Sequence, residues 1–150
     1  MLGWSEFHAG ATADHAHAYL FRSYEPLPAE TWLKWQIGGL CYLVGYPAGC
    51  LVFDTTEPDT IWRAVSALRA MGVPFNLVVV RGQTAYLFGR AKGAGIVPEA
   101  PWGVLAISEL MGYHIIADKT AFETVREDTL FAAMRKTTLS IEELWAIIRT

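Results

Sequence analysis

The spacing of apolar residues changes along this chain, and the changes mark out its elements. Short apolar or alternating runs, bounded by glycine, proline and turn residues, predict strands over residues 16–23, 40–44, 50–54, 75–80, 85–88, 103–107 and 114–117. Tyr46-Pro47-Ala48-Gly49 and Arg81-Gly82-Gln83-Thr84 are short enough to join antiparallel neighbours as hairpins. Ile61, Val65 and Leu68 instead recur along one face of a helix, with Thr56 as the expected N-cap, Pro58 in the first turn, and Gly72 and Pro74 as the stop. Near the C-terminus, Thr124 with Glu127 and Ser140 with Glu143 have capping-box spacing, and Leu139 and Leu144 flank the second as a hydrophobic staple. Two short helices are expected there. Hairpin-paired strands, a helix, more strands and a helical tail predict an α+β fold, an antiparallel sheet with helices on one face. No repeat, low-complexity tract or polar linker interrupts the pattern, so residues 1–150 read as a single domain.

Composition narrows the function classes. Hydrophobic residues make up 53% and aromatics 13% of the 150 residues, enough for a sizeable core. No apolar run is long enough to span a bilayer, and the first residues lack a charged region followed by an apolar one, so a cytoplasmic location is expected and no membrane partner. A net charge of -3 without a basic cluster argues against nucleic acid as a partner. Cys41 and Cys50 form neither a C-x-x-C motif nor a disulfide framework and are read as buried apolar residues. Trp32 and Trp35 are expected to pack around a short helix. The basic, glycine-rich run that starts at Arg90 lacks Walker spacing and reads as a surface loop. His114 reads as a structural histidine in an apolar strand, and Asn76 reads equally well as a family-like position or a cap.

Candidate chemistry concentrates in Gly10-Ala11-Thr12-Ala13-Asp14-His15-Ala16-His17-Ala18-Tyr19. In a strand, His15, His17 and Tyr19 line one face while Ala16, Ala18 and Leu20 line the other. Such a blade is a polar surface, a metal site, an acid–base pair or a nucleophile. Two histidines are half a zinc site, and His8, Asp14, Glu25 and His114 stand at no typical ligand spacing, so no metal or cofactor is expected. The small residues from Ala9 to Ala13 would let a phosphate approach the backbone closely, and Thr12 adds a hydroxyl donor. His17 could then attack phosphorus.

The same run resembles the active-site strand of the histidine triad superfamily, especially its transferase branch with the motif His-x-His-x-Gln. Tyr46 to Phe53, Val73 to Val78, Tyr86 to Phe88, Glu109 to Tyr113 and the tail from Glu123 to Ile148 resemble, in order, segments of the GDP-hexose phosphorylases, which include GDP-L-galactose and GDP-D-glucose phosphorylase. The resemblance implies an α+β histidine-triad-like fold. It implies a nucleotidyltransferase or phosphorylase that splits a GDP-sugar with inorganic phosphate through a covalent nucleotidyl-histidine. His17 would be the nucleophile and His15 would orient and polarise the site. Gly10, Thr12 and Tyr19 would bind substrate, with Tyr19 standing where the family has glutamine. The chain looks like the motif strand plus the second of two half-domains, which leads us to expect a homodimer or a covered sheet edge. The alternative is a noncatalytic nucleotide-binding or interaction module, or a fragment, that keeps the fold.

Overall fold

A computed structural model describes residues 1–5, 16–92 and 105–149. In chain order these form β1 (Leu2–Ser5), β2 (His17–Leu20), α1 (Pro28–Thr31), β3 (Lys34–Ile37), β4 (Leu40–Leu43), β5 (Leu51–Asp54), α2 (Pro58–Ala70), β6 (Phe75–Val80), β7 (Thr84–Gly89), α3 (Ile107–Leu110), α4 (Lys119–Thr124), α5 (Glu127–Thr137) and α6 (Ile141–Ile148). The described strands make one antiparallel sheet of seven, in the order β2-β1-β6-β7-β5-β4-β3. The α+β class expected from the sequence is therefore the class observed.

Alternation along the central strands sorts their side chains into two cores. Leu51, Phe53, Phe75, Ala85 and Leu87 pack with Ala64, Val65 and Leu68 of α2 and Leu144 of α6. Their neighbours in the chain, Val52, Val78, Val80, Tyr86 and Phe88, point the other way and meet Ala29 of α1, Ile107 and Leu110 of α3, and Ala133 and Met134 of α5. The expected helix-covered face is present, and a second set of helices covers the opposite face as well. That is why β6 and β7 read as nearly continuous apolar runs. A strand buried on both sides has no solvent face to mark with polar residues.

The two hairpin turns fall where the sequence places them. Between β6 and β7, the Gln83 N–H donates to the Val80 carbonyl at 3.0 Å, while Arg81 and Gly82 take φ of 54° and 69°. Consecutive left-handed residues match the twist of the flanking strands, and glycine supplies one of them without steric cost. Helix α2 starts with Pro58 and stops at Gly72, whose φ is 64°, with Val73 donating to the Leu68 carbonyl at 2.9 Å. Thr56 is not its cap. Glu57 holds that position without a side-chain bond, and Thr56 gives both its N–H and its hydroxyl to Asp54 Oδ1, each at 2.9 Å. The helix starts one residue later than a Thr56 cap would set it, so the threonine lies outside the first turn and is held by Asp54 instead.

Of the two predicted capping boxes, one forms. Ser140 N–H donates to Glu143 Oε2 at 2.7 Å, Glu143 N–H donates back to Ser140 Oγ at 3.2 Å, and Leu139 and Leu144 pack in the same core. Ser140→Ala is expected to cost about 1 kcal/mol, measured as a shift in the denaturation midpoint. Thr124 ends α4 and donates its hydroxyl to the Thr120 carbonyl, while α5 starts after Arg126 with no side-chain cap bond. The tail consequently holds a helix that spacing did not predict. Two predicted strands are also corrected. Residues 105 and 106 are irregular and lead into α3, and residues 114–117 have no regular structure. Leu105 and Ile107 are apolar because they enter the core as the chain leads into α3, whereas the 114–117 run leaves Ile115 exposed; both runs mimic a strand in composition alone. Strands β1 and β3 were not foreseen; each has four residues and owes its conformation to the partner beside it. Trp32 follows α1, donates Nε1–H to the Val44 carbonyl at 2.7 Å and meets Tyr46 edge-on, whereas Trp35 lies on β3 and is largely exposed.

Candidate functional site

His17 opens β2, the outermost strand on one side of the sheet, and stands directly opposite Ser5 in β1. Ser5 in turn stands opposite Asn76 in β6, and Asn76 opposite Phe88 in β7. Residues paired across antiparallel strands share a face, so the four form one row on the side of the sheet covered by α1, α3 and α5. His17 is half-buried; Ser5 and Asn76 are buried. Within the row, Asn76 Nδ2–H donates to Ser5 Oγ at 3.0 Å. Asn76 therefore caps nothing. It sits in a strand, and its amide reaches sideways to the neighbouring strand.

Of the residues predicted to form the site, His17 and Tyr19 share β2, as the alternation requires. Tyr19 pairs with Gly3 in register, and only its backbone position is described. Gly10, Thr12 and His15 lie outside the described residues. Ser5 escaped the sequence reading altogether, because a serine after Leu2-Gly3-Trp4 carries no motif; only its pairing with His17 and Asn76 marks it out.

Two acidic residues, Glu30 and Glu109, have structural work in this fold. Glu30 accepts the Leu27 N–H at 2.8 Å and lies 3.7 Å from Arg81. Glu109, nearly buried, accepts the Ala106 N–H at 3.0 Å and the Ser108 hydroxyl at 2.9 Å. Arg90 corrects another expectation. It is 1% exposed, donates its N–H to the Pro74 carbonyl at 2.7 Å and bridges to Thr138, so the chain leaves β7 inside the protein before any surface loop begins. Burial pushes its guanidinium down to about 10, opposed by the Glu109 carboxylate. His114 feels the same two influences: burial lowers its imidazole and Glu109 raises it. The Glu109 carboxylate thus offsets part of the cost of burial at both groups.

Among the described residues, no three His, Cys, Asp or Glu side chains group as metal ligands. Both cysteines are free thiols; Cys50 is buried and Cys41 half-buried. Burial raises both thiols, Cys50 well above its ordinary value, while Lys34 partly opposes the rise at Cys41. A higher thiol pKa leaves less thiolate at pH 8. Alkylation of the native protein, followed by mass spectrometry, is therefore expected to modify Cys41 slowly and Cys50 only after denaturation.

Residues 33–148 match the model of the GDPGP1-like C-terminal domain. The chain belongs to that family. A search of the curated proteins returned no match, and neither did a search of the solved structures. The GDPGP1-like domain takes in β3 to β7 and all of the helices from α2 onward, so it supplies five of the seven strands. Strands β1 and β2, with His17, precede the matched residues and continue the same sheet outward from β6. Three surface grooves of about 510, 350 and 250 Å³ all lie elsewhere. The first runs between the β4–β5 turn and the start of α6, the second beside β3 to β5, and the third between α2 and the strands under it. None of the three is lined by His17.

Proposed function

We propose that this chain is the catalytic-strand and C-terminal part of a GDP-hexose phosphorylase of the histidine triad type, acting on a GDP-hexose and inorganic phosphate. The match of residues 33–148 to the GDPGP1-like domain carries this reading. The place of His17, on a strand hydrogen-bonded into the same sheet as that domain, supports it. A ring nitrogen of His17 attacks the α-phosphorus, and the bond from that phosphorus to the bridging oxygen breaks. Hexose 1-phosphate leaves with the bridging oxygen and its electron pair, and the guanylyl group stays on the histidine. Inorganic phosphate then attacks the same phosphorus, which forms GDP and restores the imidazole. His15 orients and polarises the site, and Gly10, Thr12 and Tyr19 hold the phosphate. A phenol at position 19 can donate to a phosphate oxygen, with a single, bulkier hydroxyl in place of the amide's separate donor and acceptor. Self-association through a sheet edge fits this scheme, since the outer strand β3 exposes Trp35 and Ile37.

Intact-mass measurement after incubation with GDP-glucose tests the proposal. A guanylyl increment that disappears on added phosphate is the expected result. Tight GDP binding with no increment would instead make the chain a noncatalytic nucleotide-binding module.

A further inference from the structure

We infer that Asn76 is a positioning residue, which fixes the Ser5 hydroxyl as a hydrogen-bond donor to the phosphoryl group at His17; the inference rests on the reading of His17 as the nucleophile. The argument begins with polarity. A hydroxyl carries one proton and accepts through its lone pairs, so its direction is set by what it meets first. Asn76 Nδ2–H donates to Ser5 Oγ at 3.0 Å, which occupies a lone pair of the hydroxyl and leaves its proton for another acceptor. Among the described residues, no hydrogen bond from the Ser5 hydroxyl to an acceptor is present. Ser5 is 1% exposed and stands opposite His17 on the same face, where Cβ atoms of paired residues lie roughly 5 Å apart. An anionic oxygen held beside the imidazole would accept that proton.

A second observation separates this arrangement from a merely structural one. Asn76 is fully buried, and its Oδ1 has no hydrogen-bond partner among the described residues. Burying an amide with one polar atom unmet costs free energy, and an apolar pair would fill the same row without that cost, as Phe88 does next to it. The Nδ2 to Oγ bond gives the position its purpose, because it decides which way the serine points its proton.

The test compares the rate of guanylyl-adduct formation from GDP-glucose in the full chain with that of four variants, alongside thermal melting of each. Ser5→Ala is expected to slow the adduct by roughly tenfold or more, since it removes a preorganised donor. Asn76→Asp is expected to slow it as much, because an isosteric carboxylate draws the serine proton inward. The double variant should be no slower than either single one, and Ser5→Thr, which keeps the hydroxyl, should stay near the wild-type rate. A purely structural role would make the two losses multiply and follow the melting temperatures. Wild-type rates in Ser5→Ala or in Asn76→Asp would overturn the inference and leave the reading of His17 intact. A wild-type chain that forms no adduct would overturn both. If Asn76→Asp fails to fold, the contrast between Ser5→Ala and Ser5→Thr decides alone: equal slowing in both overturns the inference.

Discussion

A His17→Ala chain incubated with GDP-glucose is expected to show no guanylyl adduct, a loss of about a thousandfold or more against the unmodified chain. The size follows from the role. A nucleophile that forms the covalent intermediate has no substitute when its side chain is removed, whereas a group that only orients or donates leaves residual activity. The position makes the result readable. His17 is half-buried at the first residue of an outer strand and outside both buried clusters, so truncation opens no core cavity, and thermal melting alongside checks that the variant is folded. A variant that melts with wild type and carries no adduct assigns the chemistry to the imidazole. An adduct that persists in His17→Ala moves the nucleophile elsewhere and sinks the assignment, and peptide mapping of the labelled chain would then show where it resides.

The largest effect on stability is expected from Phe88→Ala. Phe88 is fully buried near the end of β7, the strand flanked by β6 and β5 at the middle of the sheet. It packs in the core shared with α1, α3 and α5. Removing a buried phenyl ring forfeits its transfer free energy and leaves a cavity that a sheet paired on both sides closes poorly, so a loss of about 3–5 kcal/mol is expected. For a chain of 150 residues that corresponds to a fall in Tm of roughly 6–20 °C. A loss below about 1 kcal/mol by denaturant titration would show that the helices on that face do not pack as described. Because Phe88 shares a row with Asn76, Ser5 and His17, adduct formation should be assayed well below the variant's melting temperature.

The central elements were legible because their signals are local. Pro58 and Gly72 bracket α2, Ser140 and Glu143 close on one another three residues apart, and Arg81-Gly82 turns β6 back into β7. In each, the physical cause lies within a few residues of its effect. Where the reading failed, the deciding partner was distant or two local partners competed. Thr56 has the residue type of an N-cap, yet the helix begins one residue later, after Glu57, and Thr56 turns to Asp54. The apolar residues around 107 and 114 have the composition of strands but form a buried helix and an irregular, partly exposed stretch of chain. Arg90 has the sequence of a loop residue and is buried because β7 continues past its last paired residue toward Thr138.

The candidate site divides in the same way. The alternation of His17 and Tyr19 against Ala18 and Leu20 came from residue type and spacing, which belong to the chain itself, and the choice of His17 as the candidate reactive group came from the motif it resembles. The family likewise came from the order of side chains over residues 33–148. Ser5 and Asn76 are 71 positions apart, and nothing in either neighbourhood announces the other. Only the order β2-β1-β6 brings them together beside His17. That order depends on which strand edges find partners when both faces of the sheet are buried, and hydrogen bonding between strands is a property of the folded sheet and of no single segment.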